Sequence, residues 1–371
     1  MKLSIERAAL LRSLNHVQSV VERRNTIPIL SNVLMKAEDG VLSLCSTDMD
    51  LEINESVAAN VSEPGATTAP AHTFHDIVRK LPGDSDVEIE LKPDGTQIIV
   101  KSGRSQFKLS CLPVADFPEI STGDLPNNFS IPATDLRALI DRTKFAMSTE
   151  ETRYYLNGIY LHAAESNGVN VLRAVATDGH RLARFEMPLP ESATDMPGII
   201  IPRKTILEIR KLIEDAADQI NISLSEGKIR FAFDHIVLTS KLIDGTFPDY
   251  GRVIPEGNDK IVEVDPKAFS SAIDRVSTIS DEKSRALKIT LNGKQMTLSA
   301  NSPESGSATE EMEVNGDSTI EIGFNAKYLL DITSQIEGEG CRMTLADSGS
   351  PTIIQDNSDT SSLYVLMPLR V

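Results

Sequence analysis

The chain has no tryptophan among its 371 residues, and aromatic side chains make up only 5% of it. No stretch interleaves aromatic with basic residues, so the stacking platforms that hold single-stranded nucleic acids are not written here. Cysteine is nearly absent: Cys45, Cys111 and Cys341 lie far apart and form no C-x-x-C pair. That spacing excludes a disulfide framework and a zinc site, and reads as three small core residues. No run of eighteen or more apolar residues occurs, so no membrane span is expected. The first segment, MKLSIERAALLRSLNHVQSVVERR, is broken by Glu6, Arg7 and Arg12 before an apolar core of leader length develops, and a cytoplasmic location is expected. Positive charge is scarce as well. Against 54 Asp and Glu stand 37 Lys and Arg, a net charge of −17 with a pI near 4.9. Nucleic-acid binders ordinarily carry a basic surplus that replaces phosphate counterions, so a DNA-directed role has to be reconciled with this balance.

What is present is a pattern written three times. Segments with apolar residues at helical spacing begin at Ile5, Ile131 and Val264, and a second series begins at Pro70, Ile201 and Gly323, each series with a period of about 130 residues. Between them the text alternates apolar and polar residues around turn formers, as in DVEIELKPDGTQIIVKSGRSQFKLSCLP and ALKITLNGKQMTLSA. The dipeptides Asp94-Gly95, Ser102-Gly103 and Asn292-Gly293 predict tight hairpin turns. The expected class is α+β: three repeated domains, each with two helices packed on antiparallel sheet. Turn-rich stretches place the domains at 1–124, 125–255 and 256–371. The six helical segments together carry +7, which leaves −24 of the total −17 for everything else. Solvated helix faces account for such a count; so does a set of helices facing a polyanion while the remaining surface repels it.

The stretch VATDGHRLARFEMPLP gathers Asp178, His180 and Arg181 within four positions. A catalytic reading makes His180 a general base oriented by Asp178, but no serine elbow, metal spacing or phosphate loop accompanies them. A structural reading makes Asp178-Gly179 a hairpin turn. Asp48 and Asp50 in STDMDLE align with the same stretch, which favours a second turn over a cation site.

Eight segments then carry a resemblance. NTIPILSNVLM, GRSQFKLSCLPVADFPE, RYYLNGIYLH, VATDGHRLA, IPRK, SKLIDGTFPDY, EIGFNAKYLLD and YVLMPLR, in this order through the whole chain, closely resemble the beta sliding clamps, the beta subunits of bacterial DNA polymerase III. The resemblance implies a head-to-tail homodimer closed into a six-domain ring, with helices inside and sheets outside. It implies encircled duplex DNA without sequence preference, and partners that include the polymerase III catalytic subunit, clamp loader subunits, other polymerases and repair proteins. It implies no cofactor and no catalytic residue.

By the same resemblance a peptide pocket lies between the second and third domains. Its apolar walls would come from Leu156, Thr177, Leu182, Pro248, Val253, Pro351, Val365, Met367, Pro368 and Leu369. Gly179 would let backbone approach, while His180, Arg181, Arg252, Asn325, Tyr328 and Arg370 would form a solvent-exposed polar rim. Gly251 and Pro351 depart from the family's pattern, as do Glu150 and Glu151 before RYYLNG. Arg24, Arg203 and Lys204 would face DNA. Phe107 and Leu109 would meet Thr278 and Ile279 of a second copy, in the segment STISDEK. The competing functions are a peptide-binding repeat scaffold that never encircles DNA and a hydrolase built on Asp178 and His180.

Overall fold

Each of the six helical segments forms a short helix entered straight from a strand. The helices are α1 (Arg7–Val17), α2 (Ala71–Lys80), α3 (Ala133–Asp141), α4 (Arg203–Leu212), α5 (Pro266–Ser277) and α6 (Ala326–Thr333). The computed structural model describes residues 1–121, 123–214, 218–281 and 285–370. Glu282 and Lys283 of STISDEK lie outside the described residues, as does Val371. Apolar spacing decides which face each helix buries: Leu10, Leu14 and Val17 on α1, and Phe269, Ala272, Ile273 and Val276 on α5. The starts are set locally. The Asp265 carboxylate accepts from the Ala268 amide at 2.7 Å and Pro266 occupies the first turn, where its missing N–H costs nothing. No described helix is long and apolar enough to cross a membrane.

The chain divides into two compact units, and the boundary runs through the second repeat. The first comprises Met1–Leu136, Pro190–Met196 and Lys204–Leu242; the second comprises Arg137–Leu189, Pro197–Arg203 and Ile243–Val371. The sheets explain the division. Within the first unit, strand Ile236–Lys241 of the second repeat pairs antiparallel with Leu51–Ala58 of the first, inside an eight-stranded sheet. A five-stranded sheet in the same unit ends on strand Ser105–Ser110. Within the second unit, Arg181–Pro188 of the second repeat pairs antiparallel with Ser362–Leu366 of the third, inside a ten-stranded sheet. Repeats are therefore joined by backbone ladders as well as by connecting chain.

One expected turn is absent. Asn292-Gly293 does not close a hairpin; it sits inside the 17-residue strand Ala286–Ser302, where the register with Gly306–Asn325 shifts between Gly293 and Gln295. Gly293 has φ +61°, the backbone state such dipeptides favour, but here it serves a bulge. The skipped residues of the partner strand are used elsewhere: Asn315 and Gly316 pair with Glu263 and Val262 of strand Lys260–Val264. The hairpin closes instead between Ser302 and Gly306. Cys45 and Cys341 are buried as expected, with Cys111 half-buried, and burial pushes the Cys341 thiol up to about 12.

Gly158 shows how tightly the second unit's sheet is built. A Cβ there would stand 2.2 Å from the Ile201 carbonyl oxygen, on the strand paired with it. Gly158→Ala is expected to lower stability by about 2 kcal/mol through forced strand separation, read as a shift in the denaturant midpoint. An unchanged midpoint would mean that the strands can part without cost.

Candidate functional site

The cluster of Asp178, His180 and Arg181 is first of all a turn. The Asp178 carboxylate accepts from the amides of His180 at 2.9 Å and Arg181 at 3.1 Å, and Gly179 has φ +87°. Asp48 makes the same turn, accepting from Asp50 at 2.9 Å and Leu51 at 2.8 Å. Asp347 makes it again, with Gly349 and Ser350 both at 2.8 Å. Sequence similarity pairs the first two because they are repeat counterparts, each preceding the second helix of its repeat with a positive φ at the next residue; Asp347 follows α6, and Ser348 has no positive φ.

The first two of these turns each adjoin an apolar cluster: Cys45, three residues before Asp48, packs with Ile29, Leu30, Leu34 and Phe117, and Val175, three residues before Asp178, belongs to a second group. Leu156, Leu182 and Val365 pack with Val175, Ile200, Phe247 and Leu363 to form one buried group in the second unit. Leu182 and Val365 are essentially inaccessible, so they make the floor of the site and not its wall. Met367, 37% exposed, and Val253, 43% exposed, offer the apolar surface above that floor. The tail that carries Met367, Pro368 and Leu369 is pinned by its backbone. The Met367 amide donates to the His180 carbonyl at 2.9 Å, and the Leu369 amide to that of Gly323 at 2.8 Å.

On the rim, His180 is exposed and its ring stacks on Tyr328 at 6.3 Å. Burial raises the Tyr328 phenol's pKa, and the Asp178 carboxylate adds to that. Arg252 is exposed and pairs with Asp249 at 2.8 Å; Pro248 and Arg370 are exposed too. Asn325 acts locally, its side chain capping α6 by accepting from Lys327 at 3.0 Å and Tyr328 at 3.4 Å. Pro351 is half-buried, its carbonyl accepting from Asn258 Nδ2 at 2.9 Å. Thr177 Oγ1 donates to the Arg181 carbonyl at 2.7 Å, bracing the turn from behind.

Arg181 overturns the expectation of a solvent-exposed rim charge. It is 7% exposed. Its guanidinium bonds Asp178 at 3.1 Å, Asp331 on α6 at 2.5 Å and the Phe145 carbonyl at 2.6 Å. The Tyr328 ring covers it at 4.2 Å, with Phe145 at 5.2 Å. The planar fork of arginine satisfies three acceptors at once, which is why the charge can lie beneath the rim. The sequence named none of Asp331, Phe145 or Arg153 as site residues. Arg153 reaches to within 2.8 Å of where a Gly179 Cβ would be, and pairs with Glu150 at 3.3 Å. It belongs to the segment RYYLNG, but no spacing connects it to Gly179.

In the first unit Arg24 is exposed, while Lys204 pairs with Asp48 and, at 3.5 Å, with Glu22. Phe107 is half-buried on the edge strand; Leu109, expected at a subunit seam, is buried opposite Ile98 in its own sheet and offers little free surface. In the second unit Arg203 is half-buried, Ile279 is half-buried and Thr278 is exposed. A separate open cleft of about 890 Å3 mixes acidic groups, Glu263, Asp265, Glu313 and Glu339, with Lys294, Val264 and Val314.

Three repeats, each with two helices entered from strands and joined by sheets that cross the repeat boundaries, define a clamp-type fold. Comparison with known proteins narrows the class. Profiles of the DNA polymerase III beta subunit match in full sequence order: the N-terminal domain at residues 1–121, the central domain at 130–249 and the C-terminal domain at 251–370. The chain is 52% identical to the beta sliding clamp of Caulobacter vibrioides and 39% identical to that of Escherichia coli, with 100% of both chains covered in each case. Its fold matches the sliding clamp of Bartonella birtlesii bound to griselimycin with a TM-score of 0.97 at 48% identity, again over 100% of both chains. The chain belongs to the beta sliding clamp family, the beta subunits of bacterial DNA polymerase III.

Arg181→Met leaves Asp178 and Asp331 without their cation and is expected to cost about 3 kcal/mol of stability, read by thermal or denaturant unfolding. Arg252→Met, at an exposed pair, is expected to leave the transition unchanged. Equal transitions for the two variants would show that the Arg181 network holds nothing in place.

Proposed function

We infer that two copies of this chain close head to tail around duplex DNA, and that the cleft above Leu182 tethers polymerases to that ring by short peptide segments. The observation that carries the tethering is the form of the cleft. An apolar floor lies under Met367 and Val253, and the wall is pinned by backbone hydrogen bonds on both sides of Pro368. Such a site favours aliphatic and aromatic anchors, with His180, Tyr328, Arg252 and Arg370 orienting the peptide. The griselimycin held by the Bartonella clamp supports the reading that clamps of this kind accept peptide-like ligands. Gly251 beside Arg252 and the half-buried Pro351 adjust the preference of the rim.

The ring reading makes sense of the charge. A protein bound topologically need not attract DNA strongly, and strong attraction would slow sliding; an acidic exterior discourages DNA from the wrong surface. Arg24, Arg203 and Lys204 serve as the loose backbone contacts. The ion pairs of Lys204 with Asp48 and Glu22 weaken its grip further. Glu150 and Glu151 keep the loop before RYYLNG from adding to that contact. The three domains are 1–124, 125–255 and 256–371, and the subunit seam places Phe107 against Thr278 and Ile279 of the second copy, Leu109 lending support from within. The chain is a non-catalytic subunit that needs no cofactor and works in the cytoplasm. Its partners are the polymerase III catalytic subunit, clamp loader subunits, and other polymerases and repair proteins.

The decisive measurement is retention on DNA after loading. The protein is expected to stay on a circular duplex through a high-salt wash and to leave when that circle is linearised, because a ring departs at free ends. Retention that ignores linearisation would favour a scaffold that never encircles DNA. The seam is tested separately: Phe107→Ala is expected to weaken dimerisation by about tenfold or more in sedimentation at high dilution. An unchanged dimer would remove Phe107 from the seam.

A further inference from the structure

The outer wall of the cleft includes a single short turn, Tyr250–Val253, and both Arg252 and Val253 on it are exposed. Surface ion pairing of Arg252 with Asp249 holds it only weakly. The firmer anchor is the Tyr250 side chain, which runs inward against the apolar cluster, edge-on to Phe247 at 6.5 Å. Its hydroxyl ends between two groups, 2.9 Å from His162 Nε2 and 3.0 Å from Arg173 Nη1. His162 Nδ1 lies 2.9 Å from the Ala163 carbonyl oxygen, which can only accept, so Nδ1 carries the proton. Nε2 is thereby left to accept from Tyr250, while Arg173 donates to the same hydroxyl oxygen. Arg173 is in turn held by Glu186 at 2.7 Å, which also takes Arg184 at 3.2 Å.

We propose that His162 and Arg173 are positioning residues for the cleft: they hold the Tyr250–Val253 wall in its peptide-receiving place, and protonation of His162 releases it. The proposal deepens the peptide-cleft reading above and rests on it. A second proton would turn Nε2 into a donor, leave the Tyr250 hydroxyl proton without its acceptor, and set a new cation beside Arg173. The groups facing His162 are Tyr160 on its own strand, stacked at 4.6 Å, then Arg173, Glu186 and Arg184 on the neighbouring strands, and Tyr250 on the turn with Asp249 and Arg252 beyond. Burial lowers the pKa of His162 from its ordinary 6.5; the Ala163 carbonyl and Glu186 oppose that, and Arg173 adds to it. The neutral ring is the holding form. Peptide affinity therefore stays level above the ordinary histidine value and falls as pH drops below it.

The test titrates a labelled peptide bearing aliphatic and aromatic anchors, without titratable groups, against the full-length protein from about pH 8 to about pH 5. The wild type is expected to bind about fivefold more weakly at the acid end, the loss of roughly one net hydrogen bond. His162→Gln offers an amide oxygen to Tyr250 and is expected to match the wild type at the alkaline end with a level profile. Tyr250→Phe is expected to bind about fivefold more weakly throughout, also with a level profile. His180→Gln, on the rim, is expected to keep the wild-type fall. A flat wild-type profile, or a fall that persists in His162→Gln, overturns the proposal and leaves the cleft reading standing. A wild type that binds no such peptide even at the alkaline end overturns both.

Discussion

The ladder between strands Arg181–Pro188 and Ser362–Leu366 is the constraint on which the site depends. Residues from the second repeat and from the end of the third are far apart in sequence, yet antiparallel pairing fixes Arg181 opposite Leu366 and Leu182 opposite Val365. Because side chains alternate across a strand, that register sends Leu182 and Val365 into one apolar cluster; a one-residue slip would turn both out of it. The tail beyond Leu366 then leaves the sheet at the turn carrying His180, and the two hydrogen bonds that pin it follow from where the ladder stops.

Three aspartates accept at the same offsets and put their second oxygen to different uses. Asp48, Asp178 and Asp347 each cap their own turn with two backbone amides. At Asp48 the spare carboxylate oxygen takes Lys204; at Asp178 it takes the buried Arg181 guanidinium; at Asp347 it takes the Ser350 hydroxyl at 2.9 Å. Asp48 and Asp178 share their turn by repetition, and only at Asp48 does the partner come from far along the chain; Arg181 and Ser350 sit three residues past their aspartates. In three dimensions the cluster separates: the Asp178 carboxylate is bonded to the turn's own amides and to Arg181, while the exposed His180 ring stacks on Tyr328.

Periodicity made the six helices and the threefold repeat legible, since burial of one face in every 3.6 residues leaves its mark on each helix separately. Alternation made the strands legible too. It did not say where one ended: Asn292-Gly293 carries a strong turn signal, yet the bulge between Ala286–Ser302 and Gly306–Asn325 absorbed it, because the skipped residues could pair with strand Lys260–Val264. Alternation also left the depth of Leu109 open. It puts Phe107 and Leu109 on the same face, opposite Val100 and Ile98, yet Leu109 is buried and Phe107 half-buried.

The sequence by itself determined the class of fold, the number of repeats and the family. Those are properties of pattern, and pattern survives in one dimension. Only the tertiary structure decided which polar side chains near the Asp178 turn are buried and which are exposed. It buried Arg181 between Asp178, Asp331 and Phe145, made Asn325 a helix cap, and brought Tyr250 to His162 and Arg173. The physical reason is common to all three: how far a polar side chain is exposed and what it bonds are set by the partners the fold brings to it, and strand register, which places most of those partners, is a long-range choice that no local spacing records.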